Sequence, residues 1–389
     1  MDKLEFTLRA KEWLVIFKKR LMLFTMLFLI PVSMSFLLGY AMEAKQVKNI
    51  PTIIIDRDNS ALSRSITKQI RNNEIFKIVK YSQNDNDIKE YMEQGKAMAA
   101  VVIPESFNKD LLAGKGPNVL VFYDASQMSV ASAAKARMTE ILLTVKTAYL
   151  MQVMEGKLNV LPSQAIKAAQ PMYFNYRLLN NPTKNYVNFL LPGMLIAIIQ
   201  VGLVMIGADR VKEKDEKFRY CIYKALCWGI LGAISIIATF WVQFRFYDMP
   251  YKGSVAGGLL LDLLFSTGVV SFGMLVMQVI PNKLLATQIS AICMLPASIL
   301  GGYTYPLMSM PAFFQKLGSI MPFTHFAEPI RDLILQDLGI KYVMGEIMWF
   351  LKFLIIIWIA LFIVFFAKKI AKELWHNHKA AEKAVSSYE

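Results

Sequence analysis

Six stretches of this chain stay apolar for about 20 residues each: 21–40, 186–208, 222–244, 254–280, 284–305 and 346–367. At 1.5 Å per helical residue, a run of that length crosses a hydrocarbon core of about 30 Å, so the pattern predicts six transmembrane helices. The first run follows a basic segment, as a cleaved leader would. Its near-full spanning length, and only a weak cleavage pattern at "GYA" (39–41), favour an uncleaved anchor.

Between the first two runs the period changes. Residues 41–185 alternate short β-rich runs, "IPTIIID" (50–56), "FKIVKY" (76–81), "AMAAVVIP" (97–104) and "NVLVFYD" (118–124), with helical stretches at 60–73 and 85–95 and a short one ending at Ala113. Strand and helix in turn predict a small α/β domain. A long polar helix follows over 126–156, a candidate stalk or partner surface. Near the other end, Pro306, Pro311, Pro322 and Pro329 divide 306–345 into pieces too short to span, which predicts re-entrant helices before the last membrane helix. The fold class is therefore an α-helical polytopic membrane protein with six transmembrane helices and an inserted extracytoplasmic α/β domain.

Lysine and arginine set the orientation. They crowd the leader 1–20, the loop 209–221 and the tail 368–389, all of which belong on the cytoplasmic side. Both termini are then cytoplasmic and residues 41–185 extracytoplasmic, in a bacterial cytoplasmic (inner) membrane. Leader residues Phe6, Ala10, Trp13 and Phe17 recur at spacings of 4, 3 and 4, a single apolar stripe that predicts an amphipathic helix lying on the inner surface.

Composition agrees: 55% of the 389 residues are hydrophobic and mean hydropathy is +0.40. The net charge of +14 sits at membrane flanks and across the insert without interleaved aromatics, which argues against nucleic acid as a partner. The three cysteines lie in or beside spans, so no disulfide holds the insert.

Ionisable groups inside spans are candidate functional residues. Asp262 and Lys352 lie about 12 and 9 Å from the outer ends of their runs, near enough in depth to pair. The alternative is that Lys352 snorkels outward while Asp262 faces a water-filled cavity. Gln200, Gln278 and Gln288 add amides, which serve either packing or a polar translocation surface. "IMPFTHFAEPIRDLIL" (320–335) places His325, Glu328, Arg331 and Asp332 in an apolar region. His325 and Glu328 are fewer ligands than a zinc site needs. A Glu328–Arg331 pair, with His325 bonding the re-entrant turn, predicts an outer gate instead. No nucleophile–base arrangement and no G-x-x-x-x-G-K-[ST] element occurs, so neither catalysis nor ATP binding is predicted for this chain.

Four motifs follow one another in a specific order: "IIIDRDNSALSRSI", then "IKEYMEQGKAMAAVVIPESFNKDLLAGKGPNVLVFYDAS", then "NPTKNYVNFLLPGMLIAII", and finally "SILGGYTYPLMSMPAFFQKLGSIMPFTHFAEPIRDLI". Together they resemble the ABC-2-type permeases, specifically the subgroup with a large external domain between the first two spans. The resemblance implies the membrane subunit of an ABC exporter for an amphiphilic or hydrophobic substrate. It also implies a second permease copy or paralogue and two cytoplasmic ABC ATPase subunits that carry ATP and Mg²⁺. A membrane-fusion or outer-membrane protein is a further partner to look for. Coupling to the ATPase then falls to Phe6, Trp13 and Phe17 of the leader and to Arg210, Lys212, Glu213, Asp215 and Glu216 of the loop. The path or gate falls to Gln200, Asp262, Lys352, His325, Glu328 and Arg331. One departure concerns the loop: "ADRVKEKDEKFRYCIYKAL" keeps the family's charges but lacks the Gly-Thr that usually follows them. Two other functions fit the same architecture, a membrane sensor or envelope assembly platform and an ATP-coupled mechanical complex without transport.

Overall fold

The structure is a computed structural model that describes residues 21–158, 161–169, 179, 181, 184–209 and 218–385. These residues form two compact units, a sheet unit within Gln46–Arg177 and a helical unit built from the chain on either side of it.

In the sheet unit, strands β1 (Ile50–Asp56), β2 (Phe76–Ser82), β3 (Ala99–Ile103) and β4 (Leu120–Tyr123) lie in the order β2-β1-β3-β4. β1 runs parallel to both neighbours and β4 antiparallel to β3. The connecting helices are α2 (Ala61–Arg71), α3 (Asn86–Glu93) and α4 (Phe107–Leu112), after a first helix, α1 (Leu21–Ala41), in the other unit. Parallel neighbours require crossover helices, which explains the strand–helix alternation of the sequence. Ile50 and Ile54 pack on one face with Ile66 and Ile70 of α2, and Ile53 and Ile55 on the other with Ile88 of α3. Burying each isoleucine fully stabilises by roughly 1.5–3 kcal/mol.

The long polar helix is α5 (Met128–Leu158), followed by α6 (Pro162–Ala169). The stalk expectation needs correction over its first half, because Ala134, Met138, Ile141 and Val145 are buried in the sheet's core. Their spacings of 4, 3 and 4 make one face of a helix. Small residues between them hid that stripe.

In the helical unit, six helices among the described residues are long and apolar enough to cross a membrane: α1, α7 (Tyr186–Asp209), α8 (Phe218–Phe246), α9 (Val255–Val279), α10 (Lys283–Leu300) and the long α13, of which Ile340–Trp375 qualifies. Two short helices, α11 (Ala312–Gly318) and α12 (Thr324–Leu335), precede α13 (Ile340–Val385). Large apolar side chains such as Leu37, Ile234, Ile237, Ile356 and Ile363 remain exposed around the unit, as lipid contact requires.

Proline and hydroxyl residues shape α1. Pro31 has no N–H to give the Leu27 carbonyl four residues back, and the helix widens to a π-helical turn over Thr25–Leu29 just before it. The buried Ser235 hydroxyl of α8 donates to that carbonyl. One turn on, Thr239 offers its carbonyl to Ser35 at 2.9 Å, and Gln243 donates to the Ser35 carbonyl at 2.7 Å. The Tyr247 hydroxyl then reaches Phe36 O at 2.8 Å. Positions 235, 239, 243 and 247 lie on one helix face and join α8 to α1 along its length.

α7 and α9 meet backbone to backbone. A Cβ added at Gly207 would strike the Val270 carbonyl, and one at Gly273 the Val204 carbonyl. Such close approach is how helices associate where no water drives them together.

Three boundaries differ from the sequence-based expectation. The last helix begins at Ile340 rather than 346, because its polar first turns find partners in α12. Residues 368–385, expected as a separate tail, continue that helix. Of the loop 209–221, Asp209 belongs to α7 and Phe218 to Cys221 belong to α8. The leader helix 1–20 and loop residues 210–217 lie outside the described residues.

Gly273→Ala should lower stability by about 1–3 kcal/mol by overpacking the α7–α9 contact, read as a fall in thermal midpoint of the purified protein in detergent. The exposed Leu260→Ala serves as control. An unchanged midpoint for Gly273→Ala would contradict this contact.

Candidate gate and intramembrane acid

Both chain segments that lead to the sheet unit leave one end of the helical unit. Tyr186 N donates to Lys45 O at 2.8 Å there, and Lys45 lies 3.7 Å from Asp248. α12 packs near this end, since Gly253 N reaches Leu333 O at 2.8 Å and Ser254 N reaches Leu338 O at 2.8 Å.

His325 stands in the first turn of α12. Its Nδ1 is 2.7 Å from a Glu346 carboxylate oxygen on α13, and its Nε2 is 2.8 Å from the Ser319 carbonyl. The ring stacks on Trp349 with centroids 3.8 Å apart and 18° between planes. Glu346 and Trp349 are three residues apart, so one face of α13 presents acid and ring together. Both imidazole nitrogens are thus occupied by oxygen partners, which leaves no lone pair open to a metal. Among the described residues, no cluster of three His, Cys, Asp or Glu side chains forms a metal site.

Arg331 fastens α12 on another side. Its guanidinium donates to Glu328 at 3.1 Å and lies 5.0 Å from the Phe189 ring of α7 and 4.7 Å from that of Tyr303. Only 13% of the Arg331 side chain is exposed, against 52% for Glu328. The charge is held more by ring faces than by its acid, a strong arrangement once desolvated. Tyr303 is buried and donates to Phe189 O at 2.8 Å. Burial holds its phenol above the ordinary range, so it serves as a neutral donor. Asp332 completes the set by accepting from the Tyr342 hydroxyl of α13 at 2.6 Å.

The remaining candidates lie apart from this cluster. Gln200 is fully buried in α7 and donates to Met294 O at 3.1 Å, where α10 breaks near Pro296; among the described residues its own amide oxygen has no partner. Asp262 is 4% exposed in α9, and one oxygen accepts from Ser266 at 3.4 Å. Lys352 lies exposed on α13, and among the described residues Asp262 and Lys352 form no ion pair. Of the two readings the pairing is not seen among the described residues, since equal depth does not set the rotation of two helices. Phe6, Trp13, Phe17, Arg210, Lys212, Glu213, Asp215 and Glu216 lie outside the described residues.

Sequence reading missed Glu346, Trp349, Tyr342, Phe189 and Tyr303 as partners of α12. An acid and an indole at the edge of an apolar run, three apart, were the available signal.

The profile of the family described as "ABC-2 family transporter protein" matches residues 20–367. The chain is 23% identical over 337 residues to the probable multidrug ABC transporter permease YbhR of Escherichia coli (strain K12), covering 82% of this chain and 87% of that one. It is 22% identical over 314 residues to the inner membrane transport permease YhhJ of the same strain, with 75% and 79% covered. A eukaryotic relative, ABC transporter G family member 20 of Dictyostelium discoideum, is 21% identical over 352 residues; the match takes in 87% of this chain but 47% of that longer protein. No solved structure matches the chain.

His325→Ala should cost about 1–2 kcal/mol in unfolding free energy, since a hydrogen bond to a carboxylate is lost at a partly exposed site. Glu346→Gln should cost a similar amount, and the double variant no more than the larger single loss. Strictly additive losses in denaturant titrations would show that the two side chains do not act as a pair.

Proposed function

The chain belongs to the ABC-2 family of transporter proteins, and on that premise we propose that it is the permease subunit of an ATP-driven exporter. Its cargo is an amphiphilic or hydrophobic substrate taken from the cytoplasm or the inner leaflet. The observation that carries this reading is a bundle of spanning helices closed at one end by α12, a short charged helix fastened to α13 and α7 by side chains and to the loop before α9 through the Leu333 carbonyl. Such a lid can shift without breaking any helix that crosses the membrane.

Energy comes from elsewhere, because the sequence holds no nucleotide-binding loop. Two cytoplasmic ABC ATPases, with ATP and Mg²⁺, drive a pair of permeases, identical or paralogous. The leader residues Phe6, Trp13 and Phe17 and the loop residues Arg210, Lys212, Glu213, Asp215 and Glu216 receive their push. The lysine-rich end of the bundle supports this orientation: Lys283 bonds Asp209 at 2.6 Å there and Lys368 approaches Gln278 at 3.4 Å, and positive flanks stay in the cytoplasm. The sheet unit is then extracytoplasmic and free to meet an envelope partner, such as a membrane-fusion or outer-membrane protein. The names of the Escherichia coli relatives support a place in the inner membrane and a drug-like cargo.

In this scheme α12 is the outer gate. His325 and Asp332 hold it to α13, Arg331 with Glu328 holds it against Phe189 of α7, and opening exchanges these contacts for water. Gln200, Asp262 and Lys352 are the remaining polar groups assigned to the path.

His325→Ala and Arg331→Ala should still co-purify with the ATPase yet reduce dye efflux from cells at least tenfold. Arg331→Lys, which keeps the charge but fits the two rings poorly, should fall between. Unchanged efflux removes the gate. A chain that purifies with no ATPase, and whose deletion alters envelope signalling but not efflux, removes the exporter and supports the sensor.

A further inference from the structure

One cavity in the helical unit has an unusual make-up. It encloses about 390 Å³ between α8, α9 and α12, within the roughly 300–1,000 Å³ of small-molecule sites. Its walls are aromatic and aliphatic: Phe240, Trp241 and Phe244 of α8, Tyr251 of the following loop and Ile330 of α12. The acid on the lining is Asp262.

Asp262 is 4% exposed and sits about 11 Å along α9 from Val255. Ser266 donates to one of its oxygens at a long 3.4 Å, and among the described residues the other oxygen has no hydrogen-bond or ion-pair partner. A carboxylate kept in such surroundings is costly unless a counter-charge reaches it. The described residues supply none, and Lys352 lies exposed on α13. Either a proton or a cationic group from outside the chain can meet that need.

The walls narrow what that group can be. A hard metal ion takes six or more oxygen ligands, and this lining presents ring faces and alkyl groups instead. An anion is repelled by the acid. A neutral alkyl chain fills the space but leaves the carboxylate unmatched. An organic cation satisfies both parts at once, its charge against Asp262 and the ring faces, its apolar body against the rest. The rim indicates the way in. Trp241 is 57% exposed and Val255 62%, so the mouth opens on the apolar flank of the bundle, where an amphiphile dissolved in lipid would meet it.

We propose that this cavity binds a monocationic amphiphile whose cationic centre pairs with Asp262 and whose apolar body packs on Phe240, Trp241 and Phe244. Calling that ligand cargo rests on the permease reading; binding itself does not. The α12 residues Phe326 and Ile330 line the same space, so movement of the gate helix changes the shape of the site.

The test uses the full-length chain in phosphatidylcholine nanodiscs and two probes of the same shape and opposite charge, tetraphenylphosphonium and tetraphenylborate. Equilibrium binding is measured above that of empty nanodiscs. Saturable binding of the cation and none of the anion is expected, and this comparison needs no variant. Asp262→Asn, nearly isosteric, should weaken cation binding at least tenfold. Leu259→Trp, which keeps the acid but fills the cavity, should weaken it as well. Equal affinity in wild type and Asp262→Asn, equal binding of the two probes, or no saturable binding of the cation overturns the proposal. The cargo assignment is read separately: loss of tetraphenylphosphonium efflux in Asp262→Asn cells supports it, and normal efflux with lost binding overturns it while the site stands.

Discussion

A polar group inside a hydrocarbon slab has no water to turn to, and this constraint organises the helical unit. Its effect is plainest where a proline interrupts a helix. Pro31 frees the Leu27 carbonyl, and the cost of leaving it bare in lipid is several kcal/mol, so Ser235 must stand opposite it. Once Ser235 is fixed, the same face of α8 brings Thr239, Gln243 and Tyr247 to α1 at successive turns. A local break in one helix thereby sets the rotation and register of its neighbour. Gln200 plays the corresponding part where α10 breaks, by donating to Met294 O.

The same constraint explains why the charged residues gather where they do. α12 carries His325, Glu328, Arg331 and Asp332 without crossing the membrane, and each has a partner within reach. The polar first turns of α13 are helical for the same reason, since Tyr342 and Glu346 are held by Asp332 and His325. Asp262 departs from the rule. It is the buried acid whose needs the chain meets only in part, and its free oxygen borders a cavity rather than packed side chains.

Much of this fold was legible in the sequence. Six spans could be read because unbroken apolar runs of helical length carry their own meaning, and the sheet could be read because β1 to β3 alternate with helices at short spacing. The boundary at Ile340 was less legible. Tyr342 and Glu346 look like loop residues until their partners, ten and twenty-one positions earlier in the chain, are known. The core face of α5 was masked by the alanines and serines around Met138. At the site, the Glu328–Arg331 pair follows from helix spacing alone. The stack of Arg331 on Phe189 and Tyr303 depends on the packing of three segments, which no local pattern encodes. Whether Asp262 and Lys352 pair was left open by the sequence for the same reason, because depth is a property of one helix and facing a property of two.

The distribution of satisfied polar groups also indicates where the unit can move. The bonds of Ser235, Thr239 and Gln243 to α1 are buried and end on backbone carbonyls. Breaking them in place exposes those carbonyls to an apolar medium, with no replacement donor at hand. The fastenings of α12 differ in kind. Apart from the Leu333 carbonyl, which accepts from Gly253 N, and the Ser319 carbonyl at His325, they join side chains, they lie at the end of the bundle, and Glu328 and Glu346 are 52% and 34% exposed. Water can take over each bond as it opens, so the net cost per bond falls towards the 0.5–1.5 kcal/mol typical of an exchanged hydrogen bond. The polar bonds of α12 are therefore easier to exchange for water than those between α1 and α8, while its apolar face, with Phe326, Leu333 and Ile334 fully buried and Phe326 stacked on Phe265, resists displacement. On the gate reading proposed above, the α1–α8 pair is the rigid wall and α12 the part that travels.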